Sequence, residues 1–482
     1  MKNLFEEFPK AAFEAWQKRV VKELGGKEIE SLNWKIDDEI KLQPIYSPED
    51  LKQIEKIELN PKNEFSEGEN DWIIYQKFLF KNNTKSVNQE LIEALNNGLQ
   101  GIHLVIEKDN ISASEFEEIF DGVFLEYIHF TISAQNELQA FNEFSNYARI
   151  KNLPNQKLQG ILSFDPLSKL AKSGNWKKSQ ANDMADWLSV FKEIHTDFPL
   201  FTNINIEAEL YANSGVDASY ELAFTISQLN EYFQFLNITD VLTPKDLSQV
   251  SIKMGIGSDY FVEIAKIKAL KMLWINLVKA WEKDIQLVGM PFILTESATI
   301  NHSGLDHYNN ILRLSSQAMS AALAGVNAIS LSDYDEFRKE KNEHAKRISR
   351  NIQHVLKEEA YFNKVFSPAS GSYYIENLSL QLAEKAWKVF QEIEDMGGFV
   401  AALKKGFIQK KIEDVASQKL NDFEAEKMNL IGVNKYPNTK DKVDLLSKES
   451  KTNKSEKHFS KPIENIRWAK TSEENLGKKI KS

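Results

Sequence analysis

The sequence predicts an α/β fold of eight successive strand–helix units, and two patterns carry that expectation. Eight short apolar runs of strand character lie between Trp72 and Asp333, and amphipathic stretches such as SVNQELIEALNNG, SYELAFTISQLNEYFQFL and SDYFVEIAKIKALKMLWINLVKAW stand between them. Strand–helix alternation demands parallel pairing with crossover helices. Eight units suit a closed (β/α)8 barrel of the TIM type, although an open doubly wound sheet has the same periodicity. With 482 residues and 42% hydrophobic content, the chain can build one large core and appendages.

The elements follow in order. Phe13, Trp16, Val20 and Leu24 recur at helical spacing before Gly25-Gly26, so 8–24 reads as an amphipathic helix with an aromatic stripe. Such a stripe is buried either on the chain's own barrel or on a partner. Strands are predicted at 72–80, 101–106, 124–133, 158–164, 200–208, 250–257, 291–298 and 328–333. Helices follow at 343–362 and 379–394, and AALKKGFIQKKIEDVASQKL reads as a third, with MGGF as the stop before it. Beyond Pro437 the chain turns lysine-, serine- and asparagine-rich, and glutamates interleave its basic run, so it reads as a flexible, solvated tail rather than a binding patch.

Composition excludes several function classes. A formal net charge of −10 opposes nucleic acid as the main partner, because phosphate binding needs a concentrated basic surface. Zero cysteines exclude disulfides, thiolate metal sites and cysteine nucleophiles. No apolar run reaches the roughly 18 residues of a membrane span and the first ten residues lack an apolar signal core, so a cytoplasmic protein is expected.

Reactive groups of a barrel project from the C-terminal ends of its strands, and those ends offer Glu107, Asp165, Glu207, Glu209, Glu296, Asn301, His302 and Asp333. Paired carboxylates there could act as general acid and base; the plainer reading is that they cap helices and line a wet mouth. Asp306 stands where it can cap the helix starting at Tyr308. None of the eight histidines falls in HExxH, and His302 and His307 lack a third ligand, so no metal site is expected. Glycine-rich nucleotide cradles and the GxSxG elbow are absent.

Three further stretches, GIGSDYFVEIAKIKALKMLW (255–274), LDHYNNILR (305–313) and PASGSYYIENLSLQLAEKAW (368–387), resemble the methylmalonyl-CoA mutase family. Its catalytic chains convert methylmalonyl-CoA to succinyl-CoA on adenosylcobalamin. FPKAAFEAWQKRV and IKLQPIYSPED are similar to the family's N-terminal segment, which reaches onto the other subunit. The resemblance implies the barrel rather than the open sheet. It divides the chain into an N-terminal arm and partner-contact segment (1–65), the barrel (66–340), a helical extension (341–436) and a linker or tail with no cobalamin domain (437–482).

The resemblance also implies missing chemistry. The family's RQYAG motif, anchored on ALNNG, falls on QKFLF, so Gln76 replaces its arginine and Phe78 its tyrosine. SGYHMQEAGA, anchored on Ser214-Gly215, puts its thioester-binding histidine on Leu210. Leucine cannot stabilise an oxyanion, and no histidine lies between His195 and His302 to replace it. DxHxxG, the family's cobalamin signature, does not occur, and KPIENIRWAK resembles the segment leading into that domain. Implied is the small, non-catalytic subunit of a heterodimeric isomerase of propionate metabolism, with no catalytic, cofactor-binding or metal residue of its own. Adenosylcobalamin would sit on the large subunit, and the apolar replacements imply a filled barrel interior. Two alternatives remain: an acyl-CoA mutase substrate chain working with a separate cobalamin-binding chain, or a barrel enzyme using Glu207, Glu209 and Glu296. A coenzyme A-binding regulatory module is a third, milder one.

Overall fold

Eight parallel strands close into a barrel in the computed structural model, which describes residues 13–51, 70–281, 288–339, 342–438, 440, 445 and 458–481. β1 (Ile73–Phe80) leads into α2 (Thr84–Asn96), β2 (Gly101–Ile106) into α3 (Ala113–Ile119), and β3 (His129–Ala134) into α4 (Glu137–Ile150). β4 (Gln159–Leu162) is followed by α5 (Pro166–Ser173) and α6 (Gln180–Asp197). β5 (Phe201–Thr202, resuming as Ile204–Glu207) precedes α7 (Glu209–Asn213), α8 (Ala218–Ile238) and α9 (Pro244–Ser248). β6 (Val250–Ile256) leads to α10 (Tyr260–Ala280), β7 (Phe292–Ser297) to α11 (Asn309–Leu323), and β8 (Ala328–Ser330) to α12 (Glu343–His354). α1 (Phe13–Glu23) forms the N-terminal arm; α13 (Tyr373–Asp395), α14 (Phe399–Lys404), α15 (Phe407–Glu424) and α16 (Lys470–Lys481) follow the barrel.

Pairing of β8 with β1 and of β7 with β6 closes most of the ring. The last closure differs from the uninterrupted strand expected at 200–208. β5 breaks at Asn203: its first half pairs with β4 and its second with β6. The third predicted strand also starts late, because Leu125–Tyr127 forms a 3-10 turn and the ladder begins at His129.

Most strand residues that face the helices are apolar, and Ile74, Phe78, Phe80, Ile102, Leu104, Phe130 and Ile132 are buried in one continuous core; Gln76 is an exception and accepts from Arg350 of α12. Helix starts are fixed by local chemistry. Ser112 and Thr243 form capping boxes, Asp165 precedes Pro166 at the first turn of α5, and Asp259 caps α10.

Three other expectations change. The helix predicted at 343–362 leaves α geometry at His354 and continues as a π turn over Val355–Glu359. AALKKGFIQKKIEDVASQKL splits at Gly406, whose φ of +74° no side-chain-bearing residue adopts cheaply. The solvated tail predicted beyond Pro437 does not extend through 458–475, where Ile463, Trp468 and Ala469 are buried against the barrel because these apolar residues punctuate an otherwise polar run. α1 carries no buried residue; Phe13 stacks on Trp16 with ring centroids 5.4 Å apart. Residues 8–12 of the predicted arm helix lie outside the described residues.

Candidate functional site: the barrel interior

Side chains alternate across a strand, so odd-numbered residues of β1 face the barrel interior and even-numbered ones face the helices. The lower interior is packed. Tyr75, Ile161, Leu294 and Ala328 form a buried cluster with Ile73 and Phe292 against it. His129 lies flat on Phe292 at 4.6 Å and 4°, and the Tyr75 hydroxyl bonds to its Nδ1. Burial pushes His129 down to about 3, so the ring is neutral. Gly101 makes room: a Cβ there would stand 2.4 Å from the Tyr75 ring.

A polar belt replaces the apolar filling expected above this floor. Glu296 on β7 takes Lys77 Nζ of β1 at 3.2 Å and faces His103 Nδ1 of β2 at 3.5 Å, while His103 Nε2 meets Ser133 Oγ at 2.9 Å. Opposite, Lys253 of β6 pairs with Glu209 at 2.8 Å and Glu207 at 3.4 Å, and Ser163 donates to Glu207. The Lys77 side chain remains 45% accessible, so it faces an open barrel mouth.

Three carboxylates and two ammonium groups share this space, and their environments differ. Burial raises Glu209, and Glu207 and Glu296 add repulsion; Lys253 only partly offsets this, and it is pushed up to about 7. Burial also works to raise Glu296 and Glu207, but Lys77 and Lys253 outweigh it for the first and Lys253 and Ser163 for the second, so both stay low. Burial keeps His103 neutral by depressing it. An acid near neutrality beside ionised partners can in principle exchange a proton.

Of the candidates read from sequence, Glu207, Glu209 and Glu296 come together here. Glu107 pairs with Lys81 at the rim, 3.0 Å away. Asp165 is a buried fastener between β4, β5 and α8. His302 is fully buried with Nε2 3.1 Å from Gln317 Oε1, and burial depresses it to about 4; Asn301 is buried beside it and Asp333 lies on the loop after β8. Asp306 adopts φ +43° and accepts from the Asn309 side chain. Among the described residues no three His, Asp or Glu side chains are placed to hold a metal ion.

Phe78 needs correction. It faces outward, 1% exposed, with Lys346 Nζ of α12 5.7 Å from its ring centre, so it cannot occupy a position over the barrel axis. A one-residue slip in a strand turns a side chain to the opposite face. Leu210, in α7, is 6% exposed and belongs to the main apolar core. Lys77, His103 and Lys253 were missed; the available signal was a charged residue inside an otherwise apolar strand, as in VSIKMGI.

Comparison with known proteins agrees with this architecture. The profile described as Methylmalonyl-CoA mutase matches residues 110–480. The methylmalonyl-CoA mutase small subunit of Porphyromonas gingivalis is 27% identical over 468 residues, covering 94% of this chain and 74% of that protein. The small subunit of Streptomyces virginiae is 24% identical over 449 residues, 90% of this chain and 72% of its own. The mitochondrial mutase of Bos taurus is 27% identical over 496 residues, and the match spans 95% of this chain but 64% of the bovine one. A barrel of this topology, matched over most of its length by one profile and by both kinds of relative, identifies the chain as a member of the methylmalonyl-CoA mutase family.

Proposed function

We propose that this chain is the small, non-catalytic subunit of a heterodimeric, adenosylcobalamin-dependent methylmalonyl-CoA mutase in the cytoplasm, and that it supports assembly and stability of the large subunit. The interior of the barrel carries this reading. Its charged groups are paired with one another across the strands, and Leu210, matched to the family's thioester-binding histidine, is part of the apolar core. Laid one residue earlier, RQYAG brings its glutamine onto Gln76 and its tyrosine onto Lys77, which does face the interior. An ammonium held by Glu296 replaces the phenol in that register.

The residues present do not fit adenosylcobalamin. His103 and His129 are committed to Ser133 and Tyr75 within the barrel wall, and His302 to Gln317, so no described histidine at the mouth is free for cobalt. The cofactor and reacting groups belong, on this reading, to the large subunit. The uncovered Phe13 and Trp16 stripe of α1 supports a partner-contact role for the arm.

Purification of the tagged chain from its native host tests the proposal. A one-to-one partner carrying RQYAG, SGYH and DxHxxG is expected, with mutase activity in the complex and none in this chain alone. The second reading, acid/base chemistry by Glu207, Glu209 and Glu296, draws on the split titration of the three carboxylates. It predicts that Glu209→Gln abolishes turnover while the complex still assembles; the subunit reading predicts unchanged turnover.

A further inference from the structure

A cleft opens on the C-terminal face of the barrel, beside the ends of β3 and β4 and apart from the belt. Its walls are the β3–α4 turn, the start of α5, the 175–178 turn and the first two turns of α6, and it encloses about 440 Å3. Leu138, Phe164 and Pro166 supply its apolar lining. Ligand sites of parallel barrels gather on this face.

Three lysines and three carboxylates border the cleft, so their formal charges cancel, but burial separates them. The Glu137 side chain is 3% accessible and takes Lys169 Nζ. Asp183 is 7% exposed and accepts from the backbone amides of Lys177 at 2.7 Å and Lys178 at 3.1 Å. Asp186 pairs with Lys178 at 2.6 Å. The cations remain in reach of solvent: the Lys169 and Lys178 side chains are 40% and 51% accessible, and Lys177 is exposed. A molecule entering the cleft meets ammonium groups before carboxylates.

Two of these ammonium groups converge. Lys169 Nζ donates to Ala134 O at 3.3 Å and Gln135 O at 3.2 Å, while Lys177 Nζ donates to the same Gln135 O at 3.3 Å and to Asn136 Oδ1 at 3.1 Å. Among the described residues Lys177 has no carboxylate in ion-pair distance, so neutral oxygens satisfy its hydrogen bonds and leave its charge uncompensated beside that of Lys169. The turn that carries Lys177 is held from behind by the 458–475 segment: Asn175 Oδ1 accepts from Phe459 N at 2.9 Å, and Gly174 O accepts from Ser460 N at 3.0 Å. A fixed turn lowers the ordering cost of binding.

We propose that this cleft binds a small organic carboxylate with an apolar body. The carboxylate bridges Lys169 and Lys177, gaining charge-assisted hydrogen bonds, and the body lies along Leu138, Phe164 and Pro166. The site uses none of the belt residues and does not depend on the subunit reading.

Titration of 4-fluorobenzoate with the full chain, followed by its 19F resonance, tests this. Saturable broadening in the roughly millimolar range suits so small a ligand. Lys177→Ala should weaken binding about tenfold, the scale of one charge-assisted hydrogen bond, and the uncharged analogue 4-fluorobenzyl alcohol should bind about tenfold more weakly to the unchanged chain. Leu138→Trp, which fills the lining and leaves both ammonium groups in place, should abolish binding. Absence of saturation, unchanged affinity in a folded Leu138→Trp variant, or unchanged affinity in Lys177→Ala overturns the proposal; the last variant alters only an exposed side chain and decides the matter if Leu138→Trp fails to fold. Displacement of the probe by an equal concentration of inorganic phosphate would also overturn it, by reducing the cleft to a cationic surface without selectivity for an apolar body.

Discussion

Asp165→Ala removes the side chain on which barrel closure between β4 and β5 depends. The ladder there has two residue pairs, Gly160↔Phe201 and Ile161↔Thr202. Above them Asp165, 1% exposed, accepts from Ser168 N and Glu207 N at 3.0 Å, from Gln228 Nε2 at 2.9 and 2.7 Å, and from Tyr232 OH at 2.7 Å. It caps α5, ties the end of β5 to the end of β4 and anchors α8. Loss of a cap costs about 1 kcal/mol, and each buried donor left without an acceptor costs about 1–3 kcal/mol. Since these donors share one acceptor, their losses do not add, and about 4–5 kcal/mol is expected. That is a large part of the roughly 5–15 kcal/mol that keeps a typical domain folded. Guanidinium unfolding followed by far-UV circular dichroism should show a much lower midpoint.

Asp165→Asn separates shape from charge. One amide oxygen still accepts, but the amide NH2 faces the Gln228 NH2, so a loss of about 2 kcal/mol is expected. Burial raises the Asp165 carboxyl from its ordinary 3.8. The unfolded chain therefore releases this proton first as pH rises past 3.8, and stability contributed by Asp165 declines from there up to its raised folded value. Asp165→Asn should remove that component. An alanine variant within 1 kcal/mol of the unchanged chain would refute the account of closure.

Other substitutions test other parts of the fold. Leu210→His should destabilise by about 2–4 kcal/mol, since it places a polar ring in the apolar core, and should confer no mutase activity on the isolated chain. Thermal melting and an activity assay report both. Trp468→Ala, which empties a site 7% exposed, should cost about 3–5 kcal/mol and expose the 458–475 segment to proteolysis before the barrel unfolds. Gly101→Ala should cost about 1–3 kcal/mol by denaturation, because the Tyr75 ring has to move off its bond with His129. Trp16→Ala should leave the melting temperature of the isolated chain nearly unchanged and weaken capture of the large subunit in a pull-down; a stability loss without a binding loss would place the stripe on this chain's own barrel.

Much of the fold was legible in the sequence because its signals are local. Runs such as GIHLVI and VSIKMGI carry strand character in a few residues, the capping residues mark helix starts, and counting the alternation gives eight units. Motifs such as GIGSDYFVEIAKIKALKMLW likewise marked the family without any knowledge of the fold. The break of β5 at Asn203 was not legible, because LFTNINIEA reads as one strand until its two neighbours pull its halves in different directions. Nor was the face of Phe78, since a period of two gives the alternation but not its phase, and only pairing with β2 and β8 sets which residues look inward. The belt of Lys77, His103, Lys253, Glu207, Glu209 and Glu296, with Ser133 and Ser163, is assembled from seven stretches of the chain far apart in sequence. Sequence alone determined the alternating pattern, the local caps and the family; tertiary structure decided which charges meet, because ion pairs and burial depend on distances that only the closed barrel sets.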